Sequence, residues 1–97
     1  MQDHENAGHH RLYEAMALLQ TPQECRAFLR DICTIKELQA MAQRLEVALR
    51  LDEGQTYHAV CEQTGASTAT ISRVNKCLVY GDGGYRLVLD RMREEKR

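Results

Sequence analysis

The sequence predicts an all-α chain. Apolar residues return at spacings of three, four and seven, strict alternation is absent, and hydroxyl-led helix starts alternate with glycine-led stops. A single proline, Pro22, stands where a helix begins rather than inside one.

Taken in order, the acidic, His-rich segment 1–10 reads as a flexible tail. The first helix carries Leu12, Ala15, Met16 and Leu19 on one face and ends at the Gln20, Thr21, Pro22 break. Thr21 as N-cap, Pro22 in the first turn and Glu24 three residues after the cap form a capping-box signature for the second helix. Its apolar face is Cys25, Phe28, Leu29 and Ile32. The third helix opens with the same chemistry, Thr34 three residues before Glu37. It then shows a seam of Ile35, Leu38, Ala42, Leu45 and Leu49, widened by Met41, Ala48 and Leu51. A stripe this broad marks a helix covered on more than one side, as in a central or dimer-forming helix. Asp52, Glu53 and Gly54 stop it. Thr56 caps a short fourth helix with Tyr57, Val60, Cys61 and Thr64 inward, and Gly65 ends it in the left-handed conformation. Ser67 or Thr68 caps the fifth, whose inward residues are Ile71, Val74 and Leu78. After Gly81, Asp82, Gly83 and Gly84, a sixth helix places Tyr85, Val88, Leu89 and Met92 together.

Composition narrows the function classes. A chain of 97 residues has room for one domain, 1–97, and buries a modest share of its unfolded surface, so a second subunit would add apolar cover. With 43% hydrophobic and 28% charged residues it is a folded chain rather than a disordered one. No apolar run approaches the roughly 18 residues that span a bilayer, and the first ten residues lack the apolar core of a signal peptide, so a cytoplasmic location is expected. Cys25, Cys33, Cys61 and Cys77 form no C-x-x-C pair, and Cys25, Cys61 and Cys77 fall on apolar faces, where a free thiol serves as a small buried hydrophobe. His9 and His10 are adjacent and share no helical metal face. No nucleophile and base pair, paired carboxylates or phosphate loop is visible, and His58 stands alone on a short helix. No enzyme activity, cofactor or metal is therefore expected.

The segment 56–80 holds a short helix, a glycine-centred turn and a second helix, the arrangement in which the second helix enters a DNA major groove. Small residues at Cys61 and Ala66 permit a close crossing. With Ile71, Val74 and Leu78 inward, the opposite face presents Thr68, Ser72 and Lys76, flanked by Ala69, Thr70 and Arg73. Hydroxyls at Thr68 and Ser72 suit base edges, Ala69 suits a thymine methyl, and Arg73 and Lys76 suit phosphates or guanine. A net charge of -1 disfavours indiscriminate binding to polyanions, so contact with DNA must be local. Between Thr56 and Tyr80 the charged residues are Arg73 and Lys76 against Glu62, a slightly basic element in a neutral chain. A solvated helix hairpin that docks a protein partner, with no role for DNA, is the alternative reading.

The run Thr64 to Arg73, Thr-Gly-Ala-Ser-Thr-Ala-Thr-Ile-Ser-Arg, resembles the turn and recognition helix of Trp repressors, especially the branch of Gram-positive bacteria. The resemblance is specific over Cys33 to Tyr80, including Thr34 and Arg44, and weaker elsewhere. It implies six helices per subunit, an intertwined homodimer on a palindromic operator, and base contacts from Thr68, Ala69 and Ser72. It also implies an effector pocket at Thr34, Arg44, Arg73, Val74 and Cys77. The chain departs from the tryptophan-binding pattern where Val74 replaces a glycine and Cys77 a serine. A branched side chain crowds the place of the indole and a weak hydrogen-bonding group replaces a good one, which disfavours tryptophan as co-repressor. The effector, if any, stays open.

Overall fold

The computed structural model describes residues 5–96 and consists there of helices joined by short turns. In chain order these are α1 (Ala7–Ala17), α2 (Pro22–Ile32), α3 (Ile35–Asp52), α4 (Tyr57–Thr64), α5 (Thr68–Tyr80) and α6 (Gly84–Glu95). The chain divides into two compact units, Met1–Leu38 and Gln39–Arg97, with the boundary inside α3.

In the first unit, local hydrogen bonding decides where the helices begin. The Thr21 hydroxyl accepts from the Glu24 N–H at 3.1 Å while the Gln20 N–H donates to the Glu24 carboxylate at 2.9 Å. At Thr34 the full capping box forms, its hydroxyl accepting from the Glu37 N–H at 3.1 Å and its own N–H donating to the Glu37 carboxylate at 2.8 Å. There the Thr34 backbone N–H, and secondarily its hydroxyl, hold the Glu37 carboxyl below its ordinary value. Helix α1 begins inside the segment expected to be a tail. The Asn6 side chain accepts from the N–H groups of Gly8 and His9, and the His9 ring closes the box by accepting from the Asn6 N–H at 3.2 Å. Residues 1–4 of the expected tail lie outside the described residues.

The second unit contains the core. Val47 and Ala48 of α3, Val60 of α4, Ala66 of the following turn, Ile71 and Val74 of α5, and Leu89 of α6 are buried together. Leu45, Leu49, Leu51, Cys61, Leu78 and Tyr85 pack half-buried around them. This arrangement corrects the seam expected for α3. Val47, absent from that seam, is fully buried, whereas Ile35 is 76% exposed and Ala42 is exposed. Helices α4 to α6 cover the side that carries Val47 and Ala48, leaving part of the expected stripe uncovered in a single chain. Cys77 is also exposed rather than a core thiol. It borders an open apolar depression of about 610 Å³ lined by Leu45, Gly81, Asp82, Gly84, Tyr85 and Val88.

Helix α6 is fastened to the end of α3 by charge. Arg86 donates to both oxygens of Asp52, at 2.8 and 2.9 Å, and its Nε donates to Asp90 at 3.0 Å. Arg93 joins the same Asp52 carboxylate. The hydrogen bonds from Arg86 outweigh partial burial and hold the Asp52 carboxyl below its usual 3.8.

Two tests follow from these contacts. Gly65 has φ 75° and open space where a Cβ would lie, so Gly65→Ala should cost about 1 kcal/mol of backbone strain without a clash. Gly65→Asn should cost less, and paired thermal melts report the order. For the clasp, a depressed folded pKa means that Asp52 contributes stability above 3.8 and loses it as pH falls through the lower folded value. Asp52→Asn should therefore lower Tm at neutral pH, with the gap to wild type closing in acid. A gap independent of pH would show that the clasp contributes nothing through its charge.

Candidate nucleic-acid interface

Helices α4 and α5 form the helix-turn-helix read in the sequence, and its turn is held by short-range hydrogen bonds. Thr56 caps α4 by accepting from the Ala59 N–H, and Ser67 caps α5 by accepting from the Thr70 N–H, each at 3.1 Å. Between them the Gly65 N–H closes on the Cys61 carbonyl at 2.9 Å in the left-handed conformation. The Thr64 hydroxyl donates to the Val60 carbonyl at 2.7 Å and accepts from the Ala66 N–H at 3.2 Å. The Cys61 thiol lies 3.0 Å from the Ala66 carbonyl and donates to it. Ala66 is buried, so the crossing of the two helices is close because nothing larger than a methyl group intervenes.

Burial orients α5. Ile71 and Val74 are 0% and 1% exposed, and residues four apart on a helix share a face, so Thr68, Ser72 and Lys76 emerge together on the other side. All three are exposed, as are Ala69 and Arg73 beside them. Thr70 is placed differently from its neighbours. It is half-buried and its hydroxyl accepts from Ser67 at 3.1 Å, a bond that stiffens the start of the helix.

The outward face of α5 has no acidic residue, and among the described residues neither Arg73 nor Lys76 has a carboxylate partner. Elsewhere in the same unit Arg50 pairs with Glu46 at 3.0 Å, and Arg86 and Arg93 pair with Asp52 and Asp90. Two positive charges therefore stand, without a carboxylate partner among the described residues, on a helix face of hydroxyl and methyl groups.

The residues expected for an effector pocket are scattered in role. Thr34 caps α3, with its hydroxyl accepting from the Glu37 N–H. Arg44 is half-buried on α3 and has no hydrogen-bond or ion-pair partner among the described residues. Val74 belongs to the core and has no surface to offer a ligand, while Cys77 faces the apolar depression. Among the described residues no group of three His, Cys, Asp or Glu side chains could hold a metal ion, and no helix is long and apolar enough to cross a membrane.

Two interactions of this region escaped the sequence reading. The Gln43 side chain donates from α3 to the Thr64 carbonyl at 3.3 Å, and Arg50 donates to the Gln63 side chain at 3.0 Å. Partners 21 and 13 residues apart leave no periodic signal.

Comparison with known proteins agrees with this geometry. Residues 7–93 match the family model described as Trp repressor protein. The chain is 52% identical over 84 residues to YerC, an uncharacterised protein of Bacillus subtilis, covering 87% of this chain and 81% of that one. Among solved structures, a TrpR-like protein from Eubacterium eligens superposes with a TM-score of 0.86 at 44% identity, covering 91% of each chain. A candidate Trp repressor from Staphylococcus aureus superposes with a TM-score of 0.87 at 42% identity, covering 92% of this chain and 89% of that one.

Proposed function

Because this chain belongs to the Trp repressor family, a family of regulators, we propose that it is a sequence-specific DNA-binding repressor acting as a homodimer. The observation that carries the reading is the outward face of α5, where Arg73 and Lys76 stand without carboxylate partners beside exposed Thr68, Ala69 and Ser72. In the major groove these last three select base pairs, Thr70 stiffens the helix that presents them, and the two cations bind phosphate or guanine. Occupancy of a promoter then blocks polymerase sterically.

The dimer is supported by what a single chain leaves uncovered. Helices α1 and α2 contain no fully buried residue, and Leu12, Phe28 and Leu29 on their apolar faces are only half-buried. Ile32, Ile35, Leu87 and Val88 are exposed as well. Folding such faces without cover gains little from the hydrophobic effect, and a second copy supplies the cover. The whole chain, 1–97, then works as one domain of a twofold dimer whose reading helices meet half-sites of a palindrome about one helical turn apart. A DNA partner supports a cytoplasmic location. Burial of Val74 and the thiol at Cys77 support regulation without tryptophan.

Selection of bound duplexes from a random pool, with purified protein and no added ligand, tests the proposal. A short palindromic consensus is the expected product. Failure to enrich any duplex, with tryptophan present as well as absent, would leave the helix pair as a protein-docking element. On the selected site, Ser72→Ala should relax preference at one or two base pairs by about 1 kcal/mol each, read by competition with point-substituted duplexes. Lys76→Ala should weaken all duplexes alike and reduce the slope of log affinity against log salt by about 1 per reading head. Equal salt slopes for variant and wild type would remove Lys76 from the phosphate contacts.

A further inference from the structure

The contacts that bind the helix-turn-helix to α3 are of two physical kinds. Burial of Val47, Ala48, Val60, Ile71 and Val74 is attractive in every direction and sets how closely the helices approach. Small and β-branched residues dominate the fully buried part of this core. Rotation of the helix pair about that contact therefore needs a directional restraint.

The restraint lies at the last turn of α4. The final carbonyls of a helix have no partner within it, and their bonding decides how the chain leaves. The Gly65 N–H takes the Cys61 carbonyl. The Thr64 carbonyl, immediately before the left-handed glycine, accepts from the part-buried Gln43 amide at 3.3 Å. Gln43, Glu46 and Arg50 follow one another at helical spacing on α3, and Glu46 holds the Arg50 guanidinium that donates to Gln63. Two adjacent residues, Gln63 and Thr64, are thus tethered to the central helix just before the turn that aims α5.

We infer that Gln43, supported by Arg50, is a positioning residue that fixes the angle of the reading helix against α3 and so sets which separation of half-sites the dimer accepts. The inference rests on the DNA-binding dimer proposed above. Gln43 touches no base in this account. It acts through the Thr64 carbonyl, so it governs spacing and leaves the choice of bases to Thr68, Ala69 and Ser72.

The test uses the full chain and duplexes carrying the two half-sites recovered by the wild-type selection, separated by a randomised spacer. Wild type should favour one spacing sharply. Gln43→Met keeps length and removes the donor, and it should lower discrimination against neighbouring spacings by about fivefold, the weight of one neutral hydrogen bond, with the half-site consensus unchanged. Arg50→Met, which removes a bond at a more exposed place, should broaden the same profile less. It provides a second reading should Gln43→Met fail to fold. A spacing profile identical to wild type in the folded variants, or a uniform loss of affinity at every spacing, would overturn the inference. If wild type itself enriches no duplex, the DNA reading falls first, before the spacer comparison is reached.

Discussion

Insertion of Ile71 and Val74 into the patch made by Val47, Ala48 and Val60 is the contact on which the rest of the second unit depends. Full burial of a side chain of this size contributes about 1.5–3 kcal/mol, enough for two neighbours to decide which way a thirteen-residue helix faces. Once they are inside, helical periodicity leaves no choice for Thr68, Ser72 and Lys76. Ala48 and Ala66 determine how near the helices come, and Gly65 supplies the backbone conformation that lets α4 end where α5 must begin. The chemistry that α5 presents outward is thus a by-product of packing. The same side chains on a helix rotated by a quarter turn would be half-buried and useless to a partner.

Electrostatics divides the unit along similar lines. At the end of α3, Asp52 collects Arg86 and Arg93, and Asp90 adds a further carboxylate to Arg86. These pairs neutralise one another and fasten α6. On α5, by contrast, Arg73 and Lys76 have only solvent opposite them among the described residues. A chain with a net charge of -1 can present a local positive surface because the outward face of α5 carries no acidic residue. Such a surface has too few charges to hold any duplex indiscriminately, so in the proposed complex affinity comes from matched contacts to bases as well as phosphates.

What the sequence made readable followed the range of the interactions. Helix starts at Thr21, Thr34, Thr56 and Ser67 are encoded within four residues, and the structure places a cap at each. The inward pair Ile71 and Val74 was accessible for the same reason, since periodicity is a local property. The start of α1 was hidden because the capping box is completed by a histidine, which carries no strong start signal, and because Ala-Gly-His-His resembles a tail. The clasp from Asp52 to Arg86 spans 34 residues and the tether from Gln43 to Thr64 spans 21, distances over which composition and spacing are silent. Val47 was missed on α3 because several registers of its apolar residues fit a stripe equally well. Only the neighbours that cover it select among them.

That ambiguity on α3 has a physical basis of its own. A helix that satisfies one partner needs one apolar face. The residues on α3 that the chain itself covers are Val47 and Ala48, yet Ile35 and Met41 are also apolar and exposed. Helices α1 and α2 contain no fully buried residue, so apolar faces that are only partly covered stand alongside a central helix with apolar surface to spare. In the proposed dimer these requirements cancel, and the consequence reaches the DNA. If the central helices are the joint between two copies, then whatever fixes α4 and α5 on α3 fixes the distance between the two reading helices. In that proposed dimer, side-chain chemistry on α5 selects bases one at a time, and the hydrogen bonds on the opposite side of the helix pair decide whether two such selections are made at once.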